Sequence, residues 1–226
     1  MNLILQDCPR GLLGLYEGDC RDMVLPSPAD LILTAVPYIR NEQAEVDLLE
    51  DILPRMDSGE WLADNGVLCL IDVADYYVKH FIEMRHISVL NTVIKNYSFR
   101  LYDYRIWNRS FKHNIYRIGF SHVFVFTKNG QIPFSKPTVF GDVFEEKATR
   151  YRGFSDSSPA QFVRMLIEAY SQQGDLVFDP FAGTGTVAFA AAQAGRQGIG
   201  CDIDIQNIEK GLEKWKVICS QEFTPR

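Results

Sequence analysis

Two rhythms of apolar residues alternate along the chain. Ala29-Asp30-Leu31-Ile32-Leu33-Thr34, bounded by Pro28 and Pro37, is a short apolar run, and so is Gly66-Val67-Leu68-Cys69-Leu70-Ile71-Asp72. Runs of that length between turn residues predict buried strands. Ser121 to Thr127, Leu176-Val177-Phe178 and Gln197 to Cys201 read the same way, and Leu15-Tyr16 leads into the turn Gly18-Asp19-Cys20. Between them the spacing becomes helical. Glu42 to Leu62 carries Val46, Leu49, Ile52 and Leu53, with Pro54 marking an interruption, and Tyr76 to Ile94 reads as a second helical stretch. Residues 129–158 look irregular, punctuated by Gly130, Pro133, Pro137, Gly141 and Gly153. A helix opens after Ser157-Ser158-Pro159, with an apolar face of Phe162, Val163, Leu166, Ile167 and Tyr170, and another spans Val187 to Ala194. Strands alternating with helices predict an α/β fold with a largely parallel sheet.

One strand–helix junction carries chemistry. Asp179-Pro180-Phe181-Ala182-Gly183-Thr184-Gly185-Thr186 joins the Leu176 strand to the Val187 helix, and Asp202 ends the following strand. Glycines there let backbone approach a ligand closely, and the helix start offers free N–H groups. An acid at the next strand end is placed to accept hydrogen bonds from a ribose diol. Gly183-x-Gly185-x-x-Ala188 also satisfies the dinucleotide fingerprint. A linear dinucleotide fold needs several strands after its acid, however, and only 24 residues follow Asp202. The remaining strands must precede the loop, so the order of the halves is rotated.

At this point the chain resembles the permuted (β-group) DNA amino-methyltransferases, which modify adenine N6 or cytosine N4. Tyr16-Glu17-Gly18-Asp19-Cys20 is similar to the family's opening strand. Thr34-Ala35-Val36-Pro37-Tyr38 falls where the family carries a polar residue, Pro-Pro and an aromatic. Phe178 to Thr186 matches the cofactor loop almost residue for residue, and Gly200-Cys201-Asp202-Ile203-Asp204 matches the ribose strand. The resemblance implies a three-layer, Rossmann-like methyltransferase fold, circularly permuted, over residues 1–226 as a single domain. It also implies S-adenosyl-L-methionine as cofactor. By that match Asp19 lies near the adenine, Asp179 near the methionine ammonium, and Asp202 on the ribose. Pro180, Phe181 and the Gly183, Thr184, Gly185 and Thr186 backbone line the carboxylate and sulfonium arm.

The catalytic loop departs from the pattern. In the family the first loop residue (Asp, Asn or Ser) accepts a proton of the exocyclic amine, a backbone carbonyl accepts the other, and the aromatic stacks on the flipped base. Here Ala35 and Val36 hold the first two places, while Pro37 and Tyr38 are retained. The Val36 carbonyl can still accept. Whether the alanine is native or introduced, the side-chain acceptor is gone, and losing one such group costs about 3–4 kcal/mol, roughly a hundred- to a thousand-fold in rate. Methyl transfer is therefore expected to be very weak. The alternative is an inactive methyltransferase-like subunit that binds nucleic acid or supports an active partner.

Charge and composition refine the picture. The net charge is −6, so any phosphate-binding surface must be local. Residues 100–117 hold five Lys or Arg with His113 against the single acid Asp103, interleaved with aromatics. Residues 96–120 are therefore a candidate nucleic-acid-contacting insertion, with Arg105, Arg109, Lys112 and Arg117 as contacts. A solvated face with its aromatics packed inward is the competing reading, and Trp107 is expected in the core. DNA is the expected partner, with RNA not excluded, and a homodimer or a second methyltransferase subunit is a further expectation. The five cysteines are scattered with no paired spacing, which predicts reduced thiols, a cytoplasmic setting and no metal site. No run approaches the roughly 18 apolar residues of a membrane span, and residues 1–10 do not read as a signal peptide.

Overall fold

The computed structural model describes the chain apart from residues 9–10, 38, 40, 79–80, 110–117, 131–140, 146–148, 152–153 and 223–226. The chain opens with β1 (Asn2–Cys8), β2 (Gly11–Glu17), a 3-10 turn (Cys20–Asp22) and β3 (Ala29–Ala35). Next come α1 (Glu42–Asp57), β4 (Leu62–Val73), β5 (Tyr76–Val78), β6 (Phe81–Glu83) and α2 (Arg85–Asn96). The middle holds β7 (Arg100–Asn108), β8 (Phe120–Thr127), β9 (Val143–Glu145), β10 (Thr149–Tyr151) and β11 (Phe154–Ser157). The last third is α3 (Ala160–Tyr170), β12 (Leu176–Asp179), α4 (Thr186–Gln193), β13 (Gln197–Asp202) and α5 (Ile205–Glu222).

Nine strands form one sheet in the order β1-β2-β13-β12-β3-β4-β8-β7-β9. Its centre, β2 through β4, is parallel throughout, while β1, β8 and β7 run antiparallel to their inner neighbours. The fold is thus the expected α/β architecture. The strands made last, β12 and β13, sit between β2 and β3, which is the rotated order the cofactor loop demanded.

Strand alternation divides the core into layers. Ile32, Leu68, Leu70 and Phe178 face α1 and α2 through Leu49, Ile52, Leu53, Val89 and Val93. Their neighbours Leu31, Leu33, Val67, Cys69 and Val177 face α3 and α4 through Phe162, Val163, Leu166, Val187 and Ala191. A third cluster packs Leu15, Phe189, Ile208 and Trp215, tying α4 and α5 to β2. None of the helices in the described residues is long and apolar enough to cross a membrane.

Several expectations are corrected. Helix α1 ends at Asp57 with Pro54 in its last turn, where the Ser58 N–H caps the Pro54 carbonyl at 2.9 Å, and Leu62 already belongs to β4. The stretch from Tyr76 is not helical at its start. Tyr76-Tyr77-Val78 and Phe81-Ile82 form the β5–β6 hairpin, and the helix begins only at Arg85. Aromatic and β-branched residues favour that pleated pairing over a helix. The described part of residues 129–158 contributes three short strands, and α5 had no counterpart in the sequence reading.

Candidate functional site

The two motif regions meet. Parallel pairing of β12 with β3 puts Val177 beside Leu31 and Phe178 beside Ile32, so both strands deliver their following loops to one end of the sheet. A cleft of about 770 Å³ opens there, of the size that small-molecule sites take. Its wall includes Asp19, Ala35, Val36, Pro37, Pro180, Phe181 and Asp202, drawn from the ends of four strands. Ligands of open α/β sheets bind at such carboxyl ends of strands.

The cofactor half is built by short-range geometry. Gly183 and Gly185 adopt φ of +53° and +73°, a region that suits glycine, and Gly185 caps α4. A Cβ on Gly183 would meet nothing within 4 Å, so the loop is open to a ligand on that side. The Gly183 N–H donates to Asp202 Oδ2 at 2.7 Å, and Asp202 Oδ1 accepts from the Asp204 N–H at 2.9 Å and Asn207 Nδ2 at 3.2 Å. The loop and the acid are therefore locked together before any ligand arrives. Asp19 accepts from Arg21, whose guanidinium holds its carboxyl below the usual range.

Asp179 is placed differently from Asp202. It is 3% exposed and lies outside the cleft wall, with Oδ1 accepting from Thr34 Oγ1 at 2.7 Å and from the Phe181 N–H at 3.0 Å. Burial raises its carboxyl to about 7 against the pull of those two donors. It thereby staples the residue before Ala35 to the cofactor loop. Gly183, Thr184, Gly185 and Thr186 likewise form the turn behind the wall rather than the wall itself. A donor-rich, open turn and a fixed acid beside a cleft of mixed polar and apolar lining fit S-adenosylmethionine.

On the catalytic side Ala35 closes β3 and Val36 and Pro37 follow it, while Tyr38 lies outside the described residues. The basic stretch is only partly as expected. Its described portion is residues 100–109, of which 100–108 form β7, a strand of the main sheet paired to β8 and β9. Trp107 is 1% exposed and stacks on Phe162 at 5.3 Å. Arg105 is held by Asp103 and Asp142, and Arg109 by Asp72 and, at 3.2 Å, by Ser121 Oγ. Arg109 lines the cleft, whereas Lys112 and Arg117 lie outside the described residues.

The sequence reading missed Arg21, Asp72, Asp75, Tyr77, Asp204 and Asn207, all on the cleft wall. Asp72 and Asp75 end an apolar strand run at its carboxyl end, a position that the parallel-sheet rule singles out. Asp75 is 8% exposed and anchors a chain of polar groups. Its two oxygens lie 2.7 and 2.8 Å from His86 Nδ1, and Oδ2 lies 3.4 Å from His122 Nε2, whose Nδ1 meets Tyr104 Oη at 2.8 Å. Burial and the adjacent His86 lower the His122 imidazole, so it favours the neutral form. The ligating atoms of Asp75, His86 and His122 lie within 4.8 Å of one another. The two rings stack at 4.0 Å with 20° between their planes.

Comparison with known proteins follows the same lines. The family model of N6/N4 methyltransferases, described as DNA methylase, matches residues 29–213. "Putative methylase YubD" of Escherichia coli (strain K12) is 25% identical over 208 residues, covering 88% of each chain. The DNA adenine methyltransferase YhdJ of the same organism is 32% identical over 97 residues, covering 41% of this chain and 33% of its own. Among solved structures, the PvuII DNA methyltransferase (cytosine-N4-specific) aligns with a TM-score of 0.75 at 16% identity, covering 88% of this chain and 84% of its own. The M1.HpyAVI–SAM complex aligns at 0.66 and 18% identity, covering 88% and 97%. At those identities the structural likeness is one of fold, while the family match spans most of the sequence. The chain belongs to the N6/N4 DNA methylase family, whose members depend on S-adenosyl-L-methionine.

Proposed function

We propose that this chain transfers the methyl group of S-adenosylmethionine to an exocyclic amine of DNA, adenine N6 or cytosine N4, at the cleft between β3 and β12. The observation that carries the reading is the convergence of Ala35, Val36 and Pro37 with Pro180, Phe181 and Asp202 on one cavity. When bound, the cofactor supplies a methyl group activated by a sulfonium. Everything else falls to the protein.

An exocyclic amine is a poor nucleophile because its lone pair is delocalised into the ring. The site must hold the nitrogen in line with the methyl and take its N–H hydrogen bonds, so that it becomes more tetrahedral. The main-chain carbonyl of Val36 takes one of them, and Tyr38 stacks on the base. Asp202, fixed by Gly183, would hold the ribose hydroxyls of the cofactor, and Asp19 would lie on its adenine side. Asp179, beneath the loop, would balance the methionine ammonium. Position 35 contributes nothing polar, at a cost of about 3–4 kcal/mol where nothing replaces it.

Incubation with tritiated S-adenosylmethionine and unmethylated DNA, followed by nucleoside chromatography, tests this. Label in N6-methyladenine or N4-methylcytosine supports it. Absence of label from both the native chain and an Ala35→Asp variant, with cofactor bound in calorimetry, would favour the non-catalytic subunit that Ala35 also suits.

A further inference from the structure

The parallel ladder between β3 and β4 pairs Ala35 with Ile71. The next residue on β4, Asp72, therefore stands at the height of Val36, at the same strand ends, and both line the cleft. Asp72 has φ of +57°, and among the described residues no other non-glycine has a positive φ. Left-handed backbone at a residue with a side chain persists where the surroundings over-determine it, and such residues cluster at functional sites.

The surroundings here are specific. Arg109, just past the end of β7, pairs with Asp72 Oδ1, and both side chains are largely shielded, at 14% and 16% exposure. The guanidinium is itself fixed by Ser121 Oγ at 3.2 Å and lies over the Trp107 ring at 5.2 Å. A carboxylate offers two oxygens and about four lone-pair sites, so a bond to one oxygen leaves accepting capacity. Asp75, the neighbouring carboxylate, has both oxygens engaged by His86 and a third contact from His122.

We propose that Asp72 supplies from β4 the proton acceptor that β3 lacks at Ala35. The proposal rests on the methyl-transfer reading given above. The Asp72 carboxylate accepts one N–H of the incoming amine while the Val36 carbonyl accepts the other. The nitrogen lone pair forms the N–CH3 bond as the methyl–sulfur bond breaks with its electron pair left on sulfur. One N–H proton then passes by way of Asp72 to water. Arg109 acts as a positioning residue that keeps the carboxylate aimed.

Steady-state methylation of unmethylated mixed-sequence duplex DNA with tritiated S-adenosylmethionine tests the assignment. Asp72→Gly removes the carboxylate while suiting the left-handed backbone. It should lower kcat by about a hundred- to a thousand-fold, with cofactor affinity in calorimetry unchanged. Asp72→Asn keeps an oxygen that accepts the N–H hydrogen bond but cannot carry the proton, so it should lower kcat by less than the glycine variant does. Adding Ala35→Asp to the glycine variant should restore activity, because the acceptor returns on the adjacent strand. Native-level activity in Asp72→Gly overturns the proposal, as does a loss confined to Asp75→Asn. A silent native chain beside an active Ala35→Asp single variant also overturns it while leaving the family chemistry intact. Silence from both with cofactor bound removes the methyl-transfer reading as well.

Discussion

Asp179→Asn separates the cost of burying a charge from the benefit of holding the cofactor. The Asp179 carboxyl stands at about 7 in the folded chain against 3.8 for an exposed aspartate, because burial outweighs its bonds from Thr34 and Phe181. Between those two values the folded state keeps a proton that the unfolded state has released. The resulting stability is fully present below the lower value and is lost as pH rises through the upper one. About three units at about 1.4 kcal/mol each give a total near 4 kcal/mol, of which about 2.5 kcal/mol falls between about pH 5 and about pH 8. Asparagine keeps the shape and the oxygen that Thr34 and Phe181 bond, but it does not titrate. Urea unfolding of both proteins across that range should show native minus variant stability falling by about 2.5 kcal/mol as pH rises. A difference that stays flat refutes the assignment of this proton. Cofactor binding should show the converse dependence. A cationic ammonium favours the ionised carboxylate, so affinity of the native chain should fall by up to about a hundred-fold from pH 8 to pH 5 relative to the variant. The amine's own titration is shared by both proteins and cancels. Parallel pH curves would sever Asp179 from the ammonium.

Two other perturbations probe the frame. In Gly211→Ala the new Cβ would sit 2.1 Å from the Thr184 carbonyl oxygen, a backbone atom of the cofactor loop. Overpacking of that kind should destabilise by about 1–3 kcal/mol, lowering Tm by about 2–4 °C per kcal/mol, and cofactor affinity should drop with it. Arg85, 1% exposed, donates to Glu45 at 3.0 Å and to the Ile39 carbonyl just past the catalytic loop. Arg85→Met should cost about 3–5 kcal/mol in denaturant unfolding by leaving the Glu45 carboxylate buried without it, and Glu45→Gln in the same chain should recover part of the loss.

The features legible in the sequence are those governed by local rules. The Asp179–Thr186 loop declared itself because its geometry depends on neighbours a few residues away. The rotated strand order was legible because most of the apolar strand runs precede the Asp179–Thr186 loop. Trp107 was placed in the core because a large ring among strand residues buries well. The setting of the basic stretch was hidden for the opposite reason. Arg105 and Arg109 stand in a row of cations, and their ion-pair partners Asp142 and Asp72 lie 37 positions away in each case. Asp72 and Asp75 escaped notice because a carboxylate at a strand end acquires meaning only once the neighbouring strand is known. The β5–β6 hairpin was hidden within a helical reading because Tyr76 to Phe81 is too short for either period to win.

The pairing of Leu31 with Val177 has a consequence for synthesis. One flank of β3 has no partner until a segment about 145 residues further on has been made, which at translation rates of roughly 5–20 residues per second is about 7–30 seconds. During that interval the nascent chain presents an apolar strand with an open flank, the kind of edge that invites pairing with another chain. The rotated topology that assembles the cleft from segments far apart in the chain thus also leaves central strands of its sheet, β3 and β2 alike, waiting on the ribosome for their later partners.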